Sequence, residues 1–127
     1  MDFALWIVAG LLALAFGAGG AGKIVVPKEK ITAIKTGRWA EDWSPRAIKA
    51  IGALELLAAA GLILPAALGV MPVLVPLAAV GLVLVMLGAI VVHARRGENG
   101  QILVNLAYLA LAAFVAWGRF GPEAFIG

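Results

Sequence analysis

SPRAIKAIGALELLAAAGLILP, residues 44–65, is the stretch that decides the fold. Its apolar part is long enough to cross the hydrocarbon core of a bilayer, which takes about 20 residues of α-helix. It also carries Glu55 near its middle. An ionised carboxylate at the centre of a membrane helix costs about 2.5–3.5 kcal/mol on insertion scales. The stretch therefore predicts a membrane helix whose glutamate either has a polar partner or keeps its proton.

The rest of the chain has the same apolar character. Hydrophobic residues make up 64% of its 127 residues and charged residues 13%, whereas a soluble domain is about 45–50% apolar and about 25% charged. We therefore predict one all-α domain over residues 1–127, with the fold of a transmembrane four-helix bundle. The four spans are expected at residues 3–22, 46–66, 72–94 and 101–118.

A polar segment, residues 23–45, joins the first two spans. Its basic side chains and its tryptophans, Trp39 and Trp43, suit the headgroup region, so we predict a partly interfacial loop with a short helix that ends at Gly37. Asp42 or Ser44 is expected to cap the second span. The glycine-rich run before Lys23 resembles a phosphate-binding loop, but such loops follow a strand. Close helix packing is the favoured interpretation of these glycines.

Charge predicts the orientation. Nine lysine and arginine side chains lie in or beside the first and third loops, and Arg119 alone lies on the other side. By the positive-inside rule, both basic loops face the cytoplasm and both termini face outward from the plasma membrane. Because these cations flank membrane spans, they suit anionic lipid, and no nucleic-acid partner is expected.

Composition also limits the cofactors. The chain has no cysteine and one histidine, which excludes disulfides, thiolate catalysis and iron–sulfur clusters. One histidine and one intramembrane carboxylate on different helices make a poor ligand set for zinc. Neither a metal nor a haem is expected.

The predicted topology gathers polar side chains in the cytoplasmic half of the bundle. Two interpretations stay open: the polar groups bond one another and tie the helices together, or they line a pocket in which Glu55 exchanges a proton with His93 or a ligand. Glu55 and His93 are the catalytic candidates. The candidate ligand-binding residues are Lys49, Glu55, Met86, His93, Asn105 and Tyr108.

Several runs together carry a family resemblance. They are Gly22-Lys23 after a glycine-rich span, residues 51–55 with 61–65, residues 85–89 before His93, residues 95–98, Asn105, and Gly118-Arg119. Their order and spacing resemble the DoxX-like family of small four-helix membrane proteins. The resemblance implies a loose association with redox systems and, if electron transfer is involved, a bound quinone or a partner protein rather than a redox centre of its own.

Three functions follow as hypotheses. The first is a membrane protein that binds a lipophilic molecule such as quinone, or that acts as an accessory subunit of a membrane oxidoreductase. The second is a membrane-embedded enzyme with Glu55 as general acid or base on a lipophilic substrate. The third is a proton-coupled transporter of small solutes, for which a homo-oligomer would supply more spans.

Overall fold

The computed structural model describes residues 1–124, and the final three residues of the predicted domain lie outside the described part. Within residues 1–124 there is no strand, and four helices are long and apolar enough to cross a membrane. The prediction of an all-α, four-helix membrane bundle is therefore confirmed. In chain order the elements are α1 (Asp2–Val25), α2 (Lys28–Thr32), a 3₁₀ helix (Lys35–Asp42), α3 (Pro45–Leu68), α4 (Leu74–Arg96) and α5 (Asn99–Phe120).

Local chemistry explains where the middle helices begin and end. Of the two residues proposed to cap α3, Ser44 does so, because its hydroxyl accepts a hydrogen bond from the Ala47 N–H. Gly69 ends α3 with a φ of +67°, and Gly97 ends α4 with a φ of +71°. The third span begins at Leu74 rather than at Pro72, because Pro72 and Val73 form a turn before the helix.

The long helices pack as a ring in chain order. α1 lies along α3, α3 contacts α4, α4 lies along α5, and α5 returns to α1. Each helix contributes a fully buried side chain to one continuous core, and examples are Leu12, Leu62, Leu82 and Val115. In a bilayer such a core is stabilised by close packing rather than by removal of apolar surface from water.

Two glycines allow a close approach of α1 and α3 in this ring. A Cβ atom on Gly20 would lie 2.6 Å from the Gly52 carbonyl oxygen, and a Cβ on Gly52 would lie 2.6 Å from the Gly20 carbonyl oxygen. α1 and α3 therefore meet with almost no side chain between their backbones. The interpretation of the glycine-rich run as a packing face is confirmed at Gly20.

The loop between α1 and α3 folds over the end of the bundle where these two helices meet; we call this the loop end. Gly37 was predicted to end a short helix in this loop, but it does not. α2 stops at Thr32, and the extended backbone of Ile34 separates it from the 3₁₀ helix that contains Gly37. Gly37 packs against the Ile31 carbonyl, with no room for a Cβ, so glycine serves close approach at this position.

Candidate functional site

A cavity of about 440 Å³ occupies the loop end of the bundle. Side chains from α1, α3, α4 and α5 line it, and Trp39 and Trp43 from the loop complete the wall. Most of the wall is apolar. The polar side chains that line it are Lys23, Glu55, His93, Gln101, Asn105 and Tyr108.

Lys23 is the partner of Glu55. Its Nζ lies 2.8 Å from Glu55 Oε1, and the Glu55 side chain is only 6% exposed. Lys23 lies in the last turn of α1 at the loop end, whereas Glu55 lies three turns into α3, so the two side chains must reach toward each other along the bundle. Helical side chains lean toward the N-terminus of their own helix. Because α1 and α3 are antiparallel, Lys23 leans into the membrane and Glu55 leans toward the loop.

Gly19 lies beside this ion pair, where a Cβ atom would make only ordinary van der Waals contacts. A Cβ atom at Gly19 would lie 3.8 Å from Glu55 Oε2 and 3.9 Å from Lys23 Nζ. The Lys23 ammonium also lies 5.7 Å from the centre of the Trp39 ring, within the range of a cation–π contact. The ion pair thus offsets the burial of the Glu55 charge and joins α1, α3 and the loop.

A second polar cluster holds the loop to α4. His93 Nδ1 lies 2.7 Å from Glu98 Oε1, and a carboxylate only accepts, so Nδ1 carries the proton. The Arg96 guanidinium donates to Glu98, to Glu41 at 2.9 Å and to Asp42 at 2.7 Å. His93 lines the cavity, so this cluster connects one of its walls to the segment that carries Trp39 and Trp43.

Electrostatics at Glu98 follow from these contacts. Burial raises the pKa of Glu98, but hydrogen bonds and positive charge from His93 and Arg96 outweigh it, so the pKa lies below its ordinary value. A carboxyl with a depressed folded-state pKa contributes stability above its unfolded-state pKa, and that contribution is lost as the pH falls through the folded-state pKa.

This depressed pKa predicts a pH dependence. Glu98→Gln should lower the free energy of unfolding by about 1 kcal/mol at pH 7, because the charged hydrogen bonds are weakened. Glutamate ordinarily titrates near about pH 4.3, so the difference between wild type and variant should shrink toward zero below that pH. Unfolding in mixed micelles at several pH values measures it, and a difference that stays constant from pH 7 to pH 3 contradicts the assignment.

Asn105 carries a donor without a partner. Its side-chain nitrogen Nδ2 is fully buried and makes no hydrogen bond within residues 1–124. A buried donor left unpaired costs about 1–3 kcal/mol. Beside it on α5, Tyr108 packs edge-on against Phe16, with ring centres 5.1 Å apart.

The structure brings five of the six candidate ligand-binding residues to the cavity wall: Glu55, Met86, His93, Asn105 and Tyr108. Lys49 is exposed on α3 and is absent from the wall. It precedes Glu55 by six residues, which at about 100° per residue places it on a different face of the helix. Glu55 was predicted to bond the other polar groups of this half or to exchange a proton with His93. In the structure Glu55 pairs with Lys23, and His93 pairs with Glu98.

The cavity wall also contains Lys23, Gln101 and the two loop tryptophans, which were not among the ligand-binding candidates predicted from the sequence. A usable signal was present for Lys23, since a lysine at the loop end of α1 is close enough in depth to meet Glu55. Among residues 1–124, no three histidine, aspartate or glutamate side chains gather as metal ligands would. The cavity wall offers hydrogen-bonding side chains to a ligand.

The cavity residues fall inside a family match. The family model described as the DoxX-like family matches residues 7–115, which include every polar side chain of the cavity wall. The chain belongs to the DoxX-like family. No curated protein and no solved structure matches it significantly. This DoxX-like protein is an integral membrane protein, and six polar side chains line its cavity at the loop end.

Proposed function

We propose that this protein binds a small lipophilic molecule with a polar head, such as a quinone, in the cavity at the loop end. The observation that carries the proposal is the cavity itself, largely apolar with a few convergent polar groups. Its volume of about 440 Å³ lies within the range of ligand sites, about 300–1,000 Å³.

The polar side chains of the cavity wall indicate which hydrogen-bonding groups the head of the ligand would carry. Asn105 Nδ2 is a donor in need of an acceptor, and the Tyr108 hydroxyl and the Gln101 amide are further donors on α5. A carbonyl oxygen of a quinone would satisfy Asn105. Met86, Phe16 and the two loop tryptophans would pack against the ring, while Lys23 and Glu55 would hold the charged side of the wall in place.

Asn105 gives a test in which stability and binding change in opposite directions. Asn105→Leu removes the unpaired donor, so the empty protein should gain about 1 kcal/mol in free energy of unfolding. The same change removes the hydrogen bond to the ligand, so the Kd of decylubiquinone in nanodiscs should rise about tenfold. Quenching of tryptophan fluorescence reports binding, because Trp39 and Trp43 line the cavity.

Asn99→Leu provides the matched control. It makes the same substitution at the first residue of α5, outside the cavity wall, and should leave the Kd unchanged. A Kd that is the same for wild type and Asn105→Leu, or absence of saturable binding to wild type, would contradict the proposal.

We further propose that the loop end faces the cytoplasm, with both termini outside the plasma membrane, because nine of the ten lysine and arginine residues lie in or beside the loops at that end.

A role as an accessory subunit of a membrane oxidoreductase is compatible with ligand binding and needs a partner protein. Catalysis by Glu55 and His93, and proton-coupled transport by an oligomer, stay predictions. The ligand-binding proposal has a specific observation behind it in the unpaired Asn105 donor.

A further inference from the structure

The cavity reaches the outer surface of the bundle between α3 and α4. Of the lining residues that the structure describes, Leu54 on α3 and Gly88 on α4 are the only exposed ones, and Leu54 is 57% exposed. A residue that lines a cavity and is also exposed marks the place where the cavity opens. Leu54 and Gly88 therefore lie at the rim of a side opening.

This opening lies at the depth of the hydrocarbon. Leu54 is nine residues from the start of α3 and Gly88 eight residues from the end of α4. At about 1.5 Å per residue, both are about 12–14 Å from the helix ends at the loop. The two helices are antiparallel, so the residues lie at similar levels. A bilayer core about 30 Å thick would surround an opening at this level.

Small residues control where the two helices touch. At the far end from the loop, a Cβ atom on Gly61 would lie 2.9 Å from the Ala78 Cβ, so α3 and α4 are in tight contact there. At Gly88 a Cβ atom would meet nothing within 4 Å. α3 and α4 are thus in tight contact toward the far end, whereas beside the cavity Gly88 adds no side chain and has free space next to it.

We propose that the gap between Leu54 and Gly88 is a lateral portal through which the hydrocarbon chain of the bound molecule extends into the bilayer. This inference rests on the proposed function and specifies its ligand class. The ligand is a membrane amphiphile with a hydrogen-bond acceptor in its head, placed near Asn105, and a flexible chain that leaves between α3 and α4. A head without a chain would occupy the cavity and leave the portal empty.

Two quinones that differ in their chain serve as probes. Ubiquinone-0 has the head alone, and decylubiquinone has the same head with a ten-carbon chain. Gly88→Leu fills the portal from α4 and should raise the Kd of decylubiquinone at least tenfold, while the Kd of ubiquinone-0 changes less than twofold. Leu54→Trp fills it from α3 and should show the same selectivity, and it decides the question if Gly88→Leu fails to assemble.

Gly81→Leu is the matched control. Gly81 lies two helical turns from Gly88 on α4, a Cβ atom there also meets nothing within 4 Å, and the residue is absent from the cavity wall. It should leave both Kd values unchanged, and circular dichroism and size-exclusion profiles should match for all variants.

The outcomes separate the two proposals. Binding of both quinones to wild type, with no loss of decylubiquinone in Gly88→Leu and Leu54→Trp, overturns the portal and leaves the proposed function standing. Equal weakening of both quinones also overturns the portal, since the substitutions would then act on the head. If wild type binds neither quinone, the proposed function fails and the portal fails with it.

Discussion

Lys23→Met is expected to lower the free energy of unfolding by about 3–5 kcal/mol. The substitution removes the ammonium 2.8 Å from the buried Glu55 carboxylate, and loss of one partner from a buried ion pair leaves an uncompensated charge. Adding Glu55→Met in the same chain should restore most of the loss, because replacement of both partners by apolar residues of similar volume is often neutral. Unfolding of the single and double variants in mixed micelles measures both effects.

Lys49→Met serves as the control for removal of a lysine at the same end of the bundle. Lys49 is exposed and lies away from the cavity, so its loss should change the free energy of unfolding by less than about 0.5 kcal/mol. A Lys23→Met variant as stable as Lys49→Met would show that the Lys23–Glu55 contact does not offset the burial of Glu55.

Gly20→Ala should destabilise the bundle by about 2–3 kcal/mol, since overpacking of a close contact typically costs 1–3 kcal/mol. The added Cβ would lie 2.6 Å from the Gly52 carbonyl oxygen and 3.0 Å from the Leu56 nitrogen. Both obstacles are backbone atoms, so α1 and α3 must move apart. The separation should also disturb the Lys23–Glu55 pair, which depends on the register of these two helices.

Gly22→Ala is the control on the same helix. A Cβ atom at Gly22 meets nothing within 4 Å, so the variant should be as stable as wild type or slightly more so, because alanine has the higher helix propensity. The same unfolding assay compares the two substitutions. Equal stability of Gly20→Ala and Gly22→Ala would contradict the close approach of α1 and α3.

Much of the fold could be predicted because it depends on local and periodic features. Long apolar runs identify the four membrane helices, and a serine followed by a proline marks the start of α3. The depth of a residue also follows from counting along its helix, which is why Glu55, His93 and Asn105 could be assigned to one end of the bundle. Five of the six candidate residues consequently line one cavity.

The pairing of polar groups could not be predicted in this way. It depends on how the helices turn toward each other and on their register, which is set by the contact between Gly20 and Gly52. Depth alone does not distinguish Lys23 from His93 as the partner of Glu55, but in the structure Glu55 contacts Lys23 and His93 contacts Glu98. Lys49 is a second example: its depth matches that of the cavity, but it lies on a face of α3 that does not line the cavity.

Gly37 shows how a residue type can be assigned the wrong role. Glycine often ends a helix, but at Gly37 it lets the 3₁₀ helix approach the Ile31 carbonyl. Such a contact is made by the folded loop and is invisible in the local pattern. The cavity wall formed by Trp39 and Trp43 depends on that same folded loop.

The most direct test of ligand binding is native mass spectrometry of the wild-type protein and Asn105→Leu, released from nanodiscs that contain decylubiquinone. We predict a wild-type population with one bound decylubiquinone and a much smaller bound fraction for Asn105→Leu. A wild-type protein that appears only as the bare chain, at quinone concentrations that saturate the nanodiscs, would contradict the account.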